Sequence, residues 1–291
     1  MVRYVAYILV TVIAVALTGS IAVVLGKGVV ECLAGRPVVY VTAFDGVGAV
    51  GGHPPRIRAM FEGPTGPRPL DSFWAVVRFR GGWTRWAFVN RLGLCGPTGP
   101  ADLAPGPHRF QVGMPEVHPR LDAVAHATAW IWPRETRVLW VDASALVPSG
   151  TGPASGGDVC LPPASARAGI ETLKTLANRS RCVYLVAEDA RGYAATRRWL
   201  KVWGAPAGPV FWVIPGRAYG RLKGLKGVWP TVLGAVVASD DLADAGRRLK
   251  VPVERVPTPG EAGQAPALAE TWRRTLNRLT VPQSMGPSHG R

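Results

Sequence analysis

The sequence predicts a chain in three parts: an N-terminal transmembrane helix, an antiparallel β-sandwich, and an α/β domain on a mainly parallel sheet. Three observations carry this expectation. Residues 4–26 contain no charged side chain. Residues 36–132 repeat short runs rich in Val, Phe, Trp and Thr between Gly/Pro turns. Residues 135–256 alternate apolar strands with helical segments, the pattern of βαβ units and a parallel sheet.

The first part reads YVAYILVTVIAVALTGSIAVVLG, and its 23 positions exceed the ~20 that cross a bilayer as a helix. A cleaved signal peptide opens in the same way, with a short basic segment (here Met1 and Arg3), but its apolar region is usually only ~7–15 residues. The expectation is therefore an uncleaved, single-pass membrane anchor. Arg3 before the span is balanced by Lys27 and Arg36 after it, so the positive-inside rule leaves open which side carries the rest of the chain.

Length and composition set the remaining bounds. The 291 residues suit about two domains of roughly 100–200 residues each. With 47% hydrophobic and 18% charged residues, both can hold a core. The 35 glycines and 27 prolines have no period, which excludes a collagen-like chain and predicts many turns. A net charge of +15 attracts anionic lipid, phosphorylated molecules and nucleic acid. No run of consecutive Lys/Arg forms a nucleic-acid tail, so no specific nucleic-acid binding is expected. Cys32, Cys95, Cys160 and Cys182 form no CxxC pair, so a zinc knuckle is not expected, and disulfide pairing stays open. Cys182 lies within an apolar strand and reads as core.

In residues 36–132 the predicted strands are RPVVYVTAF, PRIRAMFEG, FWAVVRF, TRWAFVN, HRFQVGM and AVAHATAWIW. Their number and spacing suggest an antiparallel sandwich. Gly46, Gly48 and Gly51 match the GxGxxG spacing of a dinucleotide fingerprint. That motif must open a helix, and His53-Pro54-Pro55 follows instead, so a glycine-rich loop of the sandwich is expected.

The run from Arg137 to Val141 is apolar after its first residue, as in a strand buried on both faces. Helices are expected at 164–178, 190–203, 217–227 and 241–249, with strands at 181–187, 210–214 and 232–238. Residues 257–291 read as a linker, a short amphipathic helix and, from Pro282, a disordered tail. Leu268, Trp272, Leu276 and Leu279 give that helix one apolar face, for docking on a domain or a membrane surface. Helix 190–203 carries Arg197, Arg198 and Lys201 with Trp199 and Trp203. This combination suits a lipid headgroup boundary, against the plainer reading of a core-facing Trp stripe with a solvated basic face. Asn178-Arg179-Ser180 is a sequon at a helix end, a pattern common by chance, and the scattered histidines predict no zinc site.

Chemistry in a parallel α/β sheet collects beyond the carboxyl ends of its strands. Asp142 ends the first strand there, and Asp240 and Asp241 end the last. If these strands are neighbours, the three carboxylates can share a crevice and hold Mg²⁺, with Lys223 or Lys226 offsetting phosphate charge. Asp142 is then the nucleophile of an aspartyl-phosphate mechanism. The bland use of such acids is to cap the helices that follow strands.

RVLWVD, CVYLVAEDARGYAATRRWLKVWGAPAGPVFW, RLKGLKG and ASDDLADA occur in an order that resembles the haloacid dehalogenase-like (HAD) superfamily, nearest its lipin-type phosphatidate phosphatase branch. WAFVNRLGLCGPTGPADLAPGPHRFQVGMPE is similar to the immunoglobulin-like module that can precede the catalytic part in that branch. The resemblance implies a HAD-like α/β domain over 135–256, a sandwich over 36–132, a Mg²⁺ cofactor and phosphomonoester hydrolysis. The chain departs from the pattern at four motif positions. Ser144 stands where a second Asp acts as general acid, and Leu146 where a Thr is usual. Val186 stands where a hydroxyl binds the phosphoryl group, and Ser239 replaces a Gly. A serine does not protonate a leaving alkoxide as a carboxylic acid does. The function expected is a membrane-anchored, catalytically degenerate HAD-like protein that binds a phosphorylated or anionic ligand, such as anionic lipid, or a protein partner. The alternative is a Mg²⁺-dependent phosphomonoester hydrolase.

Overall fold

A computed structural model describes residues 40–63, 73–114, 124–146, 164–214, 216–257 and 265–280. The expected membrane span at 4–26, the linker at 258–264, the tail from Pro282, Cys32 and Cys160 lie outside these residues. Among the described residues no helix is long and apolar enough to cross a membrane.

The first half is sheet. β1 (Tyr40–Phe44), β3 (Arg58–Glu62) and β6 (Leu94–Cys95) form one antiparallel sheet in the order β1-β3-β6. β2 (Gly46–Ala49), β4 (Phe73–Phe79), β5 (Thr84–Val89), β7 (Gly106–Gly113) and β8 (Val124–Trp132) form a second, in the order β2-β8-β7-β4-β5. Alternation decides the faces: Ala75, Val77 and Phe79 turn inward from β4, and Ile57, Ala59 and Phe61 from the facing sheet. Trp74, Trp86 and Phe88 stand outward on β4 and β5, with Trp74 and Phe88 edge-to-face at 5.6 Å.

Two expectations need correction here. Residues 46–49 are a strand rather than a loop, and β2 pairs with β8 in parallel, so the sandwich is not wholly antiparallel. Packing explains the glycines. A Cβ on Gly48 would lie 2.7 Å from the His53 carbonyl oxygen and 2.9 Å from Ile131. Glycine serves here for close approach of two backbones.

The second half is a parallel sheet with helices on both faces. Its strands are β9 (Val138–Asp142), β10 (Arg181–Val186), β11 (Val210–Trp212), β12 (Val232–Val237) and β13 (Val253–Arg255), in the order β11-β10-β9-β12-β13. Its helices are α1 (Ala164–Ala177), α2 (Ala190–Val202), α3 (Ala218–Val228), α4 (Asp240–Arg248) and α5 (Ala265–Thr280). The period of two divides the strands cleanly. Leu139, Val141, Cys182, Tyr184 and Val236 face α1, α2 and α5. Val138, Trp140, Val183, Leu185, Ala235 and Val237 face α3 and α4. Such two-sided burial is why these strands read as unbroken apolar runs.

Of the two surfaces open to the C-terminal helix, a domain is the one α5 takes. Trp272 is fully buried, and a Cβ on Gly169 of α1 would lie only 2.8 Å from its ring. α5 is therefore part of the α/β core rather than an appendage after it. β13, 3 residues long, is an edge strand beyond those expected.

The two halves share a tight seam along β11. Phe44 stacks on Trp212 at 4.3 Å and meets Tyr193 edge-on at 4.7 Å, while Trp132 stacks on Trp229 at 4.6 Å. Asp45 closes the seam. Its carboxylate accepts from the backbone N–H of Thr128 (3.0 Å) and of Val210 (3.1 Å), and pairs with Arg197 at 3.1 Å. Its own N–H donates to the Tyr193 hydroxyl at 2.8 Å, which in turn donates to the Val210 carbonyl oxygen at 2.8 Å. The free edge of β11 is thus covered, as sheet edges commonly are. Arg197 reaches across the seam and also donates to the His126 carbonyl oxygen at 2.7 Å. That corrects its expected place on a solvated or lipid-facing surface. Trp199 of α2 and Trp203, which caps its C-terminus, stack at 5.9 Å and pack partly buried against the α/β core.

Candidate functional site

The central strand β9 runs beside β12, so their carboxyl ends meet where successive connections leave in opposite directions. This is the switch point at which open α/β sheets place ligand crevices. A cleft of about 250 Å³ lies there, lined by Asp142, Ser144, Val186, Glu188, Ala238 and Ser239 among others.

Asp142 ends β9 because the chain must turn. Residues 143–145 form a single 3-10 turn, for which Asp142 is the N-cap. The side chain is 2% exposed and fully engaged. One oxygen accepts from the Ser144 N–H at 3.0 Å and from the Ser144 hydroxyl at 2.6 Å. The other accepts from the N–H groups of Ala238 at 3.0 Å and Ser239 at 2.9 Å. An ionised carboxylate offers about four lone-pair sites. Four donors therefore occupy Asp142, which clamps the end of β9 to the turn after β12.

Asp240 and Asp241 do not join it. Both are exposed in the first turn of α4, where acids suit the positive end of the helix dipole. Asp240 pairs with Arg255 at 2.7 Å, on the far side of β12 from β9. Ser239, not Asp241, is the N-cap residue of α4, and its hydroxyl makes no capping bond. That hydroxyl is buried against the cleft without a hydrogen-bond partner. Among the described residues no three His, Cys, Asp or Glu side chains come together to hold a metal ion. The expected Mg²⁺ set of Asp142, Asp240 and Asp241 is thus not assembled, and these residues do not fit the ion.

The lysines lie elsewhere. α3 returns antiparallel to the strands, so its C-terminal half lies toward their amino ends. Lys226, in the last turn of α3, donates to the Leu249 carbonyl oxygen at 2.6 Å, just past the end of α4, and Lys223 is exposed. Neither lines the Asp142 cleft. This corrects the expectation that they offset charge beside Asp142: helix direction carries Lys226 toward the opposite end of the sheet, and Lys223, at the middle of α3, is exposed to solvent. Leu146, in the position usual for a Thr, is fully buried in the core, and Val186 lines the cleft wall.

Sequence reasoning overlooked Glu188, which enters the cleft two residues past the end of β10. Burial first, then the negative charges of Asp189 and Asp142, push its carboxyl above the usual range, while the Thr196 hydroxyl opposes the shift. The available signal was its place at the carboxyl end of a predicted strand. Among the described residues the cleft is thus lined by two carboxyl groups and no cationic side chain. Cys95 and Cys182 are free and buried, and burial pushes their thiols up to about 11 and about 12, the unreactive condition of core cysteines.

No family model matches the sequence, and no curated protein matches it. Among solved structures, a carbohydrate acetylesterase from Xanthomonas citri is similar at 12% identity, covering 84% of this chain and 76% of that chain with a TM-score of 0.30. A likeness at that level carries no argument about this chain.

Proposed function

We propose that this chain is a membrane-anchored HAD-like protein without catalytic turnover, and that it binds a phosphorylated or anionic ligand or a protein partner. One observation carries the reading: Asp142, the nucleophile candidate of the HAD-like pattern, spends both oxygens on four donors of its own fold. A side chain so held is a structural clamp. Three further facts support the loss of chemistry. Ser144 donates to Asp142 instead of offering an acid, Val186 brings no hydroxyl to the cleft, and Asp240 is paired with Arg255. The HAD-like assignment draws on a parallel sheet whose first strand is central, in the sequence order third-second-first-fourth-fifth. The immunoglobulin-like assignment draws on two facing sheets of short strands. The anchor rests on the charge-free residues 4–26, and the anionic ligand on a net charge of +15.

The test is a phosphatase assay on the full chain in detergent with Mg²⁺, wild type beside Asp142→Asn. The expected result is no turnover in either. Hydrolysis of a phosphomonoester at ordinary rates, about 1–10³ s⁻¹, abolished in Asp142→Asn, would refute the reading and establish the Mg²⁺-dependent hydrolase instead.

A further inference from the structure

A concentration of arginine charge lies at the seam, away from Asp142. A cavity of about 490 Å³ opens between the sandwich and α3, and Arg56, Arg58 and Arg221 all line it. The local sequence explains how the first two arrive. Alternation around Ile57, which is fully buried, sends the side chains of Arg56 and Arg58 to the opposite face of the strand. Arg221 comes from the other half of the molecule. Its Nε and Nη2 donate to the Trp212 carbonyl oxygen at 3.2 and 2.7 Å, and its guanidinium lies 4.5 Å above the Phe211 ring.

Among the described residues no carboxylate pairs with any of the three. Asp45 also lines the cavity, but it is already engaged by Arg197 and by two backbone donors. The arginines act on one another instead. Burial, then Arg58 and Arg56, lowers the Arg221 guanidinium to about 9, and burial with Arg56 lowers Arg58. Arg58 and Arg221 are partly desolvated with the exposed Arg56 beside them, an arrangement of like charges that opposes folding, so a compensating anion would stabilise the protein. The Asp142 cleft offers no rival site, since its Glu188 and Asp142 repel anions.

The cavity falls within the roughly 300–1,000 Å³ of small-molecule sites. Its walls are mixed, with Val47, Phe211 and Leu225 beside the arginines. Gly220, Gly224 and Gly227 line α3 there, and a Cβ on each would meet open space. Arginine's planar fork matches phosphate oxygens in pairs, so the forks of Arg56 and Arg58 suit a doubly charged group, while Arg221, whose Nε and Nη2 hold the Trp212 carbonyl oxygen, adds positive charge and its remaining N–H groups.

We propose that the cavity between the sandwich and α3 binds an organic phosphate monoester, its phosphate held by Arg56, Arg58 and Arg221 and its carbon skeleton lying on Val47, Phe211 and Leu225. This rests on the anionic-ligand part of the function proposed above and locates that ligand at the seam instead of the strand-end cleft.

The test is calorimetric titration of the full chain in nonionic detergent with phenyl phosphate, inorganic phosphate and dodecyl phosphate. Wild type is compared with Arg56→Gln and Arg58→Gln, and melting of each unliganded protein is recorded. Phenyl phosphate is expected to bind more tightly than inorganic phosphate, at least tenfold more weakly in Arg58→Gln, and to raise the wild-type melting temperature. The unliganded variants should melt no lower than wild type, because each removes a repelling charge. Tenfold preference for dodecyl phosphate, also lost in Arg58→Gln, assigns the ligand to a lipid source; preference for phenyl phosphate assigns it to a soluble one. Absence of binding by both organic phosphates, affinity unchanged in both variants, or no gain over inorganic phosphate would overturn the site. Release of phenol with Mg²⁺ would instead overturn the non-catalytic reading, and the variants would still report on the site.

Discussion

Replacing Asp142 by Asn tests whether this side chain belongs to the fold or to a reaction. The substitution keeps the shape and removes one acceptor. If the amide faced Ala238 and Ser239, two backbone N–H groups would lose their acceptor, at 3.0 and 2.9 Å. The better orientation keeps the oxygen toward those two and turns the NH₂ toward Ser144. The Ser144 hydroxyl can then rotate to accept, but the Ser144 N–H, now 3.0 Å from its acceptor, is left unpaired. An unsatisfied buried group costs about 1–3 kcal/mol, and the two retained bonds drop from charge-assisted to neutral strength. The expected loss is about 2–4 kcal/mol, against about 1 kcal/mol for Ser144→Ala, which removes a single hydroxyl bond. Urea denaturation followed by tryptophan fluorescence measures both. A loss below about 0.5 kcal/mol for Asp142→Asn would refute the clamp, because a residue tuned for chemistry contributes little to stability and sometimes opposes it.

Other perturbations probe the neighbouring features. Asp45→Ala should cost about 3 kcal/mol or more by equilibrium unfolding, since it strands Arg197 and the Val210 N–H at a buried seam. Trp272→Ala should cost about 3–5 kcal/mol, the range for deleting a large buried aromatic side chain. Gly169→Ala should also destabilise, because its Cβ would lie 2.6 Å from Leu146; a melting temperature equal to wild type in either would show that α5 is not docked. Glu188→Gln should stabilise at pH 7. The fold raises this carboxyl above its ordinary 4.5, so protonation favours the folded state. Its contribution is complete below pH 4.5 and is lost as pH rises through the folded value. The variant should therefore gain most at neutral pH and nothing in acid, as read from unfolding midpoints across that range.

The elements that follow one rule along the chain were legible in the sequence. β9, β10 and β12 are unbroken apolar runs, and α1 shows Ile170 and Leu173 on one face, because each depends only on its own burial pattern. What depended on distant partners was not legible. β2 looks like a turn until Ile131 and Pro55 are seen to leave no space at Gly48. Arg197 looks like a surface cation until Asp45, 152 residues earlier, is placed against it. The acids after β12 were legible as residues at a strand end, but not in direction. A one-residue step along the first turn of α4 carries Asp240 away from Asp142 and onto Arg255. The arginine cavity drew on residues 56, 58 and 221, whose proximity no local pattern records.

The seam also bears on synthesis. The face of the sandwich that carries Phe44 and Asp45 is complete only when Val210–Trp212 supply its other side. A growing chain must therefore lengthen by some 165 residues with that aromatic and carboxylate face bare. Translation at about 5–20 residues per second makes the interval roughly 8–33 s. During that interval the nascent protein presents a sticky, half-finished surface, and a chaperone or a slowed ribosome would change its yield more than its final stability.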